Sequence, residues 1–414
     1  MTYSKRFGSG LRLVVKQMEG LFSVSMGVIV GTGSCFETEA ENGISHFIEH
    51  MMFKGTDKRT AFEISDAMDR IGAQVNAFTS KEITCYYAKS TSDHAGEAFE
   101  ILSDFFLHSV FPEEEMAREK GVVCEEIAMT EDTPDDLCLD VLAEAYYGNE
   151  GYGRPILGPA ERVKGFTRQD LFDYVAERYN PENIVVSFAG NIDVAFAEEL
   201  VARYLESALQ ARPFAAREKK ISLAGQSLYR RKDIEQAHIA FAWPSLRRED
   251  PLADTALVVN TILGGGMSSR LFQKVREELG LAYTVYSYIT SYTEGGTVTV
   301  YAGVNPQNIG RAQDAIFDTI AALRRENPTA DEIARGKEQV RSSLILGQEN
   351  TATQMLAYGK YMLNNDAVLD FDKRVAGIDA ITAEDCERVL SLHFTGEHVA
   401  SALVGKVEKP LSLG

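Results

Sequence analysis

His46-Phe47-Ile48-Glu49-His50 decides how this 414-residue chain is read. A helix through these residues puts positions 46 and 50 one turn apart on one face, where both imidazoles can point at a single metal ion. Glu49, three residues after His46, projects from nearly the same face toward a water on that ion. Two nitrogen donors and a carboxylate base in this H-x-x-E-H order suit zinc, which binds histidine and carboxylate and keeps a position open when it is catalytic. The plain alternative is an ordinary helix running into the apolar Met51, Met52 and Phe53. A third ligand separates the two.

Acids for that ligand follow Pro112. Proline in a first turn and Glu113, Glu114 and Glu115 on the positive end of the dipole form a strong helix start, and the helix should run through Ile127. Within it Glu119 and Glu126 are two turns apart and share a face, whereas Glu125 points about 100° away from Glu126 and is expected to face solvent. Glu126 is the expected third ligand. Glu119 is then placed to orient a ligand or to enter the metal's coordination itself.

The run Gly43-Ile44-Ser45-His46-Phe47-Ile48-Glu49-His50-Met51-Met52-Phe53-Lys54-Gly55-Thr56 closely resembles the pitrilysin-type zinc peptidases, whose members include the catalytic subunit of mitochondrial processing peptidase and its bacterial homologues. Gln74-Val75-Asn76-Ala77-Phe78-Thr79 resembles the family's substrate-binding edge strand, and Glu119-Lys120-Gly121-Val122-Val123 through Glu126 its third-ligand helix. The resemblance covers nearly the whole chain. It implies His46, His50 and Glu126 as zinc ligands, Glu49 as general base, Glu119 as a supporting acid, and Asn76, Ala77, Phe78 and Thr79 as the strand that holds the peptide.

Composition narrows the partners. Lys and Arg number 42 against 61 Asp and Glu, a net charge of −19 that argues against nucleic acid and anionic membrane surfaces. Cys35, Cys85, Cys124, Cys138 and Cys386 are odd in number and form no C-x-x-C pair, so reduced thiols are expected. The start lacks an apolar stretch of signal-peptide length and no later run is long enough to span a bilayer, so the expected location is the cytoplasm.

The chain also repeats itself. Tyr87-Ala88, Gly96, Ala98 and Asp104 match Tyr301-Ala302, Gly310, Ala312 and Asp318 at an offset of 214, and Met116-Ala117-Arg118 faces Ile333-Ala334-Arg335 at 217. So long a period means two related domains, not a solenoid. Each reads as an α+β unit, an antiparallel-rich sheet packed with helices: residues 1–210, a connection at 211–225, and residues 226–414. In the first half, strands are expected near 11–17, 21–30, 73–79, 82–91 and 183–190, and helices near 93–108, 112–131 and 135–147. Another helix should start at Thr60, where Glu63 completes a capping box, and stop at Gly72.

At these offsets His46, Glu49, His50 and Glu126 face Asn260, Leu263, Gly264 and Ser343, so the second half cannot build the same metal site. It resembles the family's metal-free half. Within Arg276-Glu277-Glu278-Leu279-Gly280-Leu281-Ala282-Tyr283, the resemblance implies that Arg276 and Tyr283 reach the substrate and the developing oxyanion. The expected activity is endopeptidase cleavage of short or unfolded peptides held as an added strand, with Glu49 activating the water that zinc holds. Two domains per chain, half the number in single-chain relatives, point to two chains acting together, as a homodimer or with an unlike partner. A non-catalytic scaffold is the main rival, and the intact His46, Glu49, His50 and Glu126 argue against it.

Overall fold

The computed structural model describes residues 1–217, 219 and 221–413; Glu218 and Lys220, which fall in the expected connection at 211–225, lie outside the described residues. The fold is α+β, with two compact units. The first comprises Met1–Ile127, Pro155–Glu218 and Leu346–Asp370, and the second Ala128–Arg154, Lys219–Ile345 and Phe371–Gly414. The units therefore interleave along the chain and do not coincide with the consecutive residues 1–210 and 226–414. Two helices account for the difference, each burying its apolar face on the sheet of the unit to which it belongs.

The first unit is built on six strands: β1 (Thr2–Arg6), β2 (Arg12–Gln17), β3 (Ser23–Val30), β4 (Gln74–Thr79), β5 (Thr84–Thr91) and β6 (Ile184–Gly190). Their order is β1-β2-β6-β3-β5-β4, antiparallel except for the β2–β6 pair. β4 lies at an edge. Four helices follow the helix readings closely: α1 (Ile44–Met52), α2 (Ala61–Arg70), α3 (Ala95–His108) and α4 (Glu113–Asp132). α2 starts with the reciprocal Thr60–Glu63 capping box that its sequence announces.

One face of this sheet is covered by α1, α3 and the helix Arg168–Arg178, with Phe99 against Phe188 at 5.0 Å and Tyr86 against Phe106 at 5.7 Å. The opposite face is covered by the helix Thr351–Asn365, which buries Met355, Tyr358 and Met362 on Ile29, Cys85, Val14 and Val185. Its backbone comes so close that a Cβ on Gly359 would meet Ile29 Cδ1 at 2.2 Å. A larger residue there would have to displace the Ile29 and Ser187 side chains. Polar ties register the contact, from Ser187 Oγ to the Met355 carbonyl at 2.7 Å and between Ser25 and Thr351 hydroxyls at 2.8 Å.

The second unit repeats the plan with β7 (Ser227–Arg231), β8 (Ala237–Ser245), β9 (Ala282–Ser291), β10 (Gly296–Val304) and β11 (Ala400–Gly405) in the order β7-β11-β8-β10-β9. β8, β10 and β9 stand to one another as β3, β5 and β4 do, which is the duplication in three dimensions. Here α5 (Pro134–Tyr147) takes the covering role, burying Cys138, Val141, Leu142 and Ala145. All five cysteines are free thiols.

His393 in this unit sets a pH dependence. It is 1% exposed, hydrogen bonded to Ser245 Oγ at 3.3 Å, and burial holds its pKa down at about 4, partly offset by Asp250. Unfolding returns the imidazole to about 6.5, so the unfolded chain takes up the proton first and stability is lost as pH falls from about 6.5 toward 4. Urea unfolding at pH 7.5 and pH 5 should therefore show a steeper loss in the wild type than in His393→Gln, by up to about 3 kcal/mol over the full window. Equal losses in the two proteins would remove His393 as the cause.

Candidate metal centre

α1 is short, and it buries Phe47, Ile48, Met51 and Met52 while His46, Glu49 and His50 lie on its other side. The core face locks the helix roll. Phe47 packs on Phe166 at 5.9 Å, and the two imidazoles of the next face stand 4.6 Å apart between ring centroids.

α4 brings Glu126 to them. Its Oε2 lies 3.4 Å from His50 Nε2 and 3.7 Å from His46 Nε2, and one donor atom from each of the three residues falls within 4.8 Å of the others. Tetrahedral zinc with bonds of about 2.0–2.2 Å spaces its ligands by roughly 3.3–3.5 Å. The donor set fits that ion. This is the only such grouping among the described residues. Glu125, one position earlier, is exposed.

Protonation suits the same purpose at His46. Burial, then the charge of His50, holds His46 down at about 4, so its imidazole is neutral at pH 7 with a lone pair to donate. Burial works against the charge on His50, but the hydrogen bond and charge of Glu119, and then Glu126 and Glu49, raise its pKa. Glu119 is 5% exposed and both oxygens are engaged, Oε1 by His50 Nδ1 at 2.8 Å and Oε2 by Lys54 Nζ at 2.7 Å. It thus stands behind His50, outside the three-residue grouping, where it fixes the ring and leaves Nε2 toward Glu126. His46 has no such support, since its buried Nδ1 has no hydrogen-bond partner among the described residues.

Glu49 touches the edge strand. Thr79 Oγ1 donates to Glu49 Oε2 at 2.6 Å, and burial raises the Glu49 carboxyl above its usual range against that bond. Asn76, Ala77, Phe78 and Thr79 all lie on β4, the open edge of the sheet, where the Ala77 N–H is taken by the Asn76 side chain at 2.8 Å. Sequence reading missed the Thr79–Glu49 bond, which has no local signature. Lys54 was missed for a similar reason: it lies beyond the end of α1 at Met52, so its approach to Glu119 follows from the turn after the helix and not from helical spacing.

Arg276 and Tyr283 belong to the second unit. Arg276 lies in the helical segment Phe272–Glu278, with its guanidinium carbon 4.8 Å from the centre of the Tyr283 ring and 4.6 Å from that of Phe272; Tyr283 is the second residue of the edge strand β9 and is 75% exposed. The counterpart of α1 here is the helix Ala253–Gly264, where Asn260 Nδ2 bonds the Ser287 carbonyl at 3.2 Å.

Paired α+β units of which one carries a His–His–Glu grouping define a metallopeptidase-like architecture, and comparison with known proteins makes it specific. Residues 13–160 match the family profile described as Insulinase (Peptidase family M16), and residues 165–340 that of the Peptidase M16 inactive domain. An uncharacterized zinc protease of Bacillus subtilis is 42% identical over 396 residues, 96% of either chain, and one of Streptomyces coelicolor is 36% identical over 96% of this chain and 88% of its own. A protease from Helicobacter pylori shares the fold at a TM-score of 0.91 and 21% identity, covering 98% of this chain and 99% of that one. The chain belongs to the M16, or pitrilysin-type, peptidase family.

Proposed function

We propose that the protein is a zinc-dependent endopeptidase that cleaves short or unfolded peptides held as an added strand along β4. The observation that carries this reading is the convergence of His46 Nε2, His50 Nε2 and Glu126 Oε2 beside a carboxylate, Glu49, that is itself bonded to the edge strand. Zinc held there would supply Lewis acidity toward a carbonyl and acidify a water molecule.

The chain's own groups do the rest. A peptide laid against β4 pairs through main-chain hydrogen bonds, which bind without reading side chains and demand an extended substrate. Glu49 takes the proton of the attacking water and passes one to the leaving amine. Thr79 holds Oε2, so Oε1 is the oxygen available for that proton. Glu119 and Lys54 keep His50 in orientation. Arg276 and Tyr283 from the metal-free unit contribute substrate or oxyanion contacts. Homodimerisation and a cytoplasmic location complete the proposal; no helix among the described residues is long and apolar enough to cross a membrane. Light scattering tests the dimer.

Metal analysis with cleavage of a peptide library, products read by mass spectrometry, tests the activity. Chelator-treated protein should lose hydrolysis and regain it with zinc, and metal-independent cleavage would overturn the reading.

The acids of α4 separate cleanly. Glu126→Gln replaces an anionic donor by a neutral amide and is expected to weaken zinc binding most, while Glu125→Gln leaves it unchanged. Glu119→Gln falls between, with losses of about 10- to 100-fold in affinity or activity. Equal zinc affinity in the Glu125 and Glu126 variants would show that the wrong acid has been assigned.

A further inference from the structure

α1 does not cap itself. Its N-cap is Gly43, at φ +96°, with no side chain to receive the N–H groups of the first turn, and at nine residues the helix is too short to be stable alone. A Cβ at Gly43 would meet the Leu157 carbonyl at 2.5 Å, which keeps serine, threonine or aspartate out of the position. The acceptor comes from six residues upstream. Glu37, 4% exposed, takes the Gly43 N–H on Oε2 at 2.8 Å and the Ser45 N–H on Oε1 at 2.9 Å, and Asn42 Nδ2 adds a bond to Oε2 at 3.1 Å. Asn42 in turn bonds the Pro155 carbonyl at 2.9 Å, and Ser45 Oγ bonds Tyr174, which reaches Thr32.

We propose that Glu37 is a positioning residue of the metal centre: its buried carboxylate supplies the cap that α1 lacks and thereby fixes where His46 Nε2 sits. The inference rests on the zinc reading of α1. His50 is oriented through its ring by Glu119, but His46 has no partner on Nδ1, so its place depends on the backbone of the first turn. Ser45, whose N–H Glu37 accepts, is the residue before it. A carboxylate is the group that can accept from both N–H donors at once, one on each oxygen. It is kept at a cost, since burial pushes this carboxyl up to about 7 against the pull of the Gly43, Ser45 and Asn42 bonds.

Glu37→Gln tests this, because the amide retains one acceptor and sets an N–H₂ against the other donor. Zinc affinity is titrated on metal-free full-length protein against a chromophoric chelator, far below the unfolding temperature, with His46→Ala in parallel. Affinity is expected to fall roughly 10- to 100-fold in Glu37→Gln with the far-UV spectrum retained. A cap of purely structural value would lower the melting temperature and leave the affinity of the folded protein alone, so an affinity within about twofold of wild type, beside a large loss in His46→Ala, overturns the inference by itself. Wild-type affinity in His46→Ala overturns the zinc reading and this inference with it. If Glu37→Gln does not fold, hydrogen exchange on the metal-free wild type decides. Gly43 and Ser45 amides should be protected as well as mid-helix Ile48, and exchange at the rate of open chain would overturn the proposal.

Discussion

Glu49→Gln is expected to retain about one zinc per chain while peptide hydrolysis falls by about 10²- to 10⁴-fold, the usual worth of a positioned acid–base group. The substitution keeps the volume of a side chain that packs between α1 and β4, and none of His46, His50 or Glu126 is altered. The Thr79 hydroxyl can still donate to the amide oxygen at the site of the present 2.6 Å bond. What is lost is the ability to take up a proton. The test is steady-state cleavage of a fluorogenic peptide with metal content measured on the same sample. Near-normal turnover by the zinc-loaded variant would remove Glu49 from the role of base, and loss of zinc would show instead that Glu49 supports the metal.

The parts of this molecule legible in its sequence are those written in local periodicity. Thr60 and Glu63 announce α2 because both halves of a capping box lie within one turn, and Pro112 with three glutamates announces α4. His46 and His50 are legible as a pair because four residues make one helical turn. α5 is different. Cys138, Val141, Leu142 and Ala145 declare an apolar face, yet nothing local says which of two similar sheets that face will cover. The helix Thr351–Asn365 poses the same problem, so the two compact units cannot be drawn from sequence order alone. Glu37 is the clearest case inside the site. A cap borrowed from a loop leaves only a glycine at the helix start, and glycine there reads as a turn. β1 escaped for a related reason, since Thr2–Arg6 is an edge strand whose alternation is mostly polar and whose partner, β2, is the only element that defines it.

Arg276→Ala and Tyr283→Phe are expected to leave folding and zinc content intact and to lower kcat/KM by roughly 10² or more if the residues act on the oxyanion. Support comes from within their own unit. Tyr283 is 75% exposed near the start of an edge strand, where its ring and hydroxyl are open to a ligand, and the Arg276 guanidinium carbon lies 4.8 Å from the centre of that ring. The contact joins the two residues into one cationic, hydrogen-bonding group. Removing either should therefore cost part of what the other does, and the double variant should lose less than the product of the single losses. The kinetic constants distinguish the two roles. Loss of an oxyanion contact lowers kcat and kcat/KM together, whereas loss of a backbone anchor appears mainly in KM. Cleavage of a fluorogenic peptide, with metal analysis and circular dichroism on each variant, makes the measurement. Unchanged constants in both variants would mean that the metal-free unit takes no part in the reaction through these positions, and that the carry-over of Arg276 and Tyr283 from the family is mistaken.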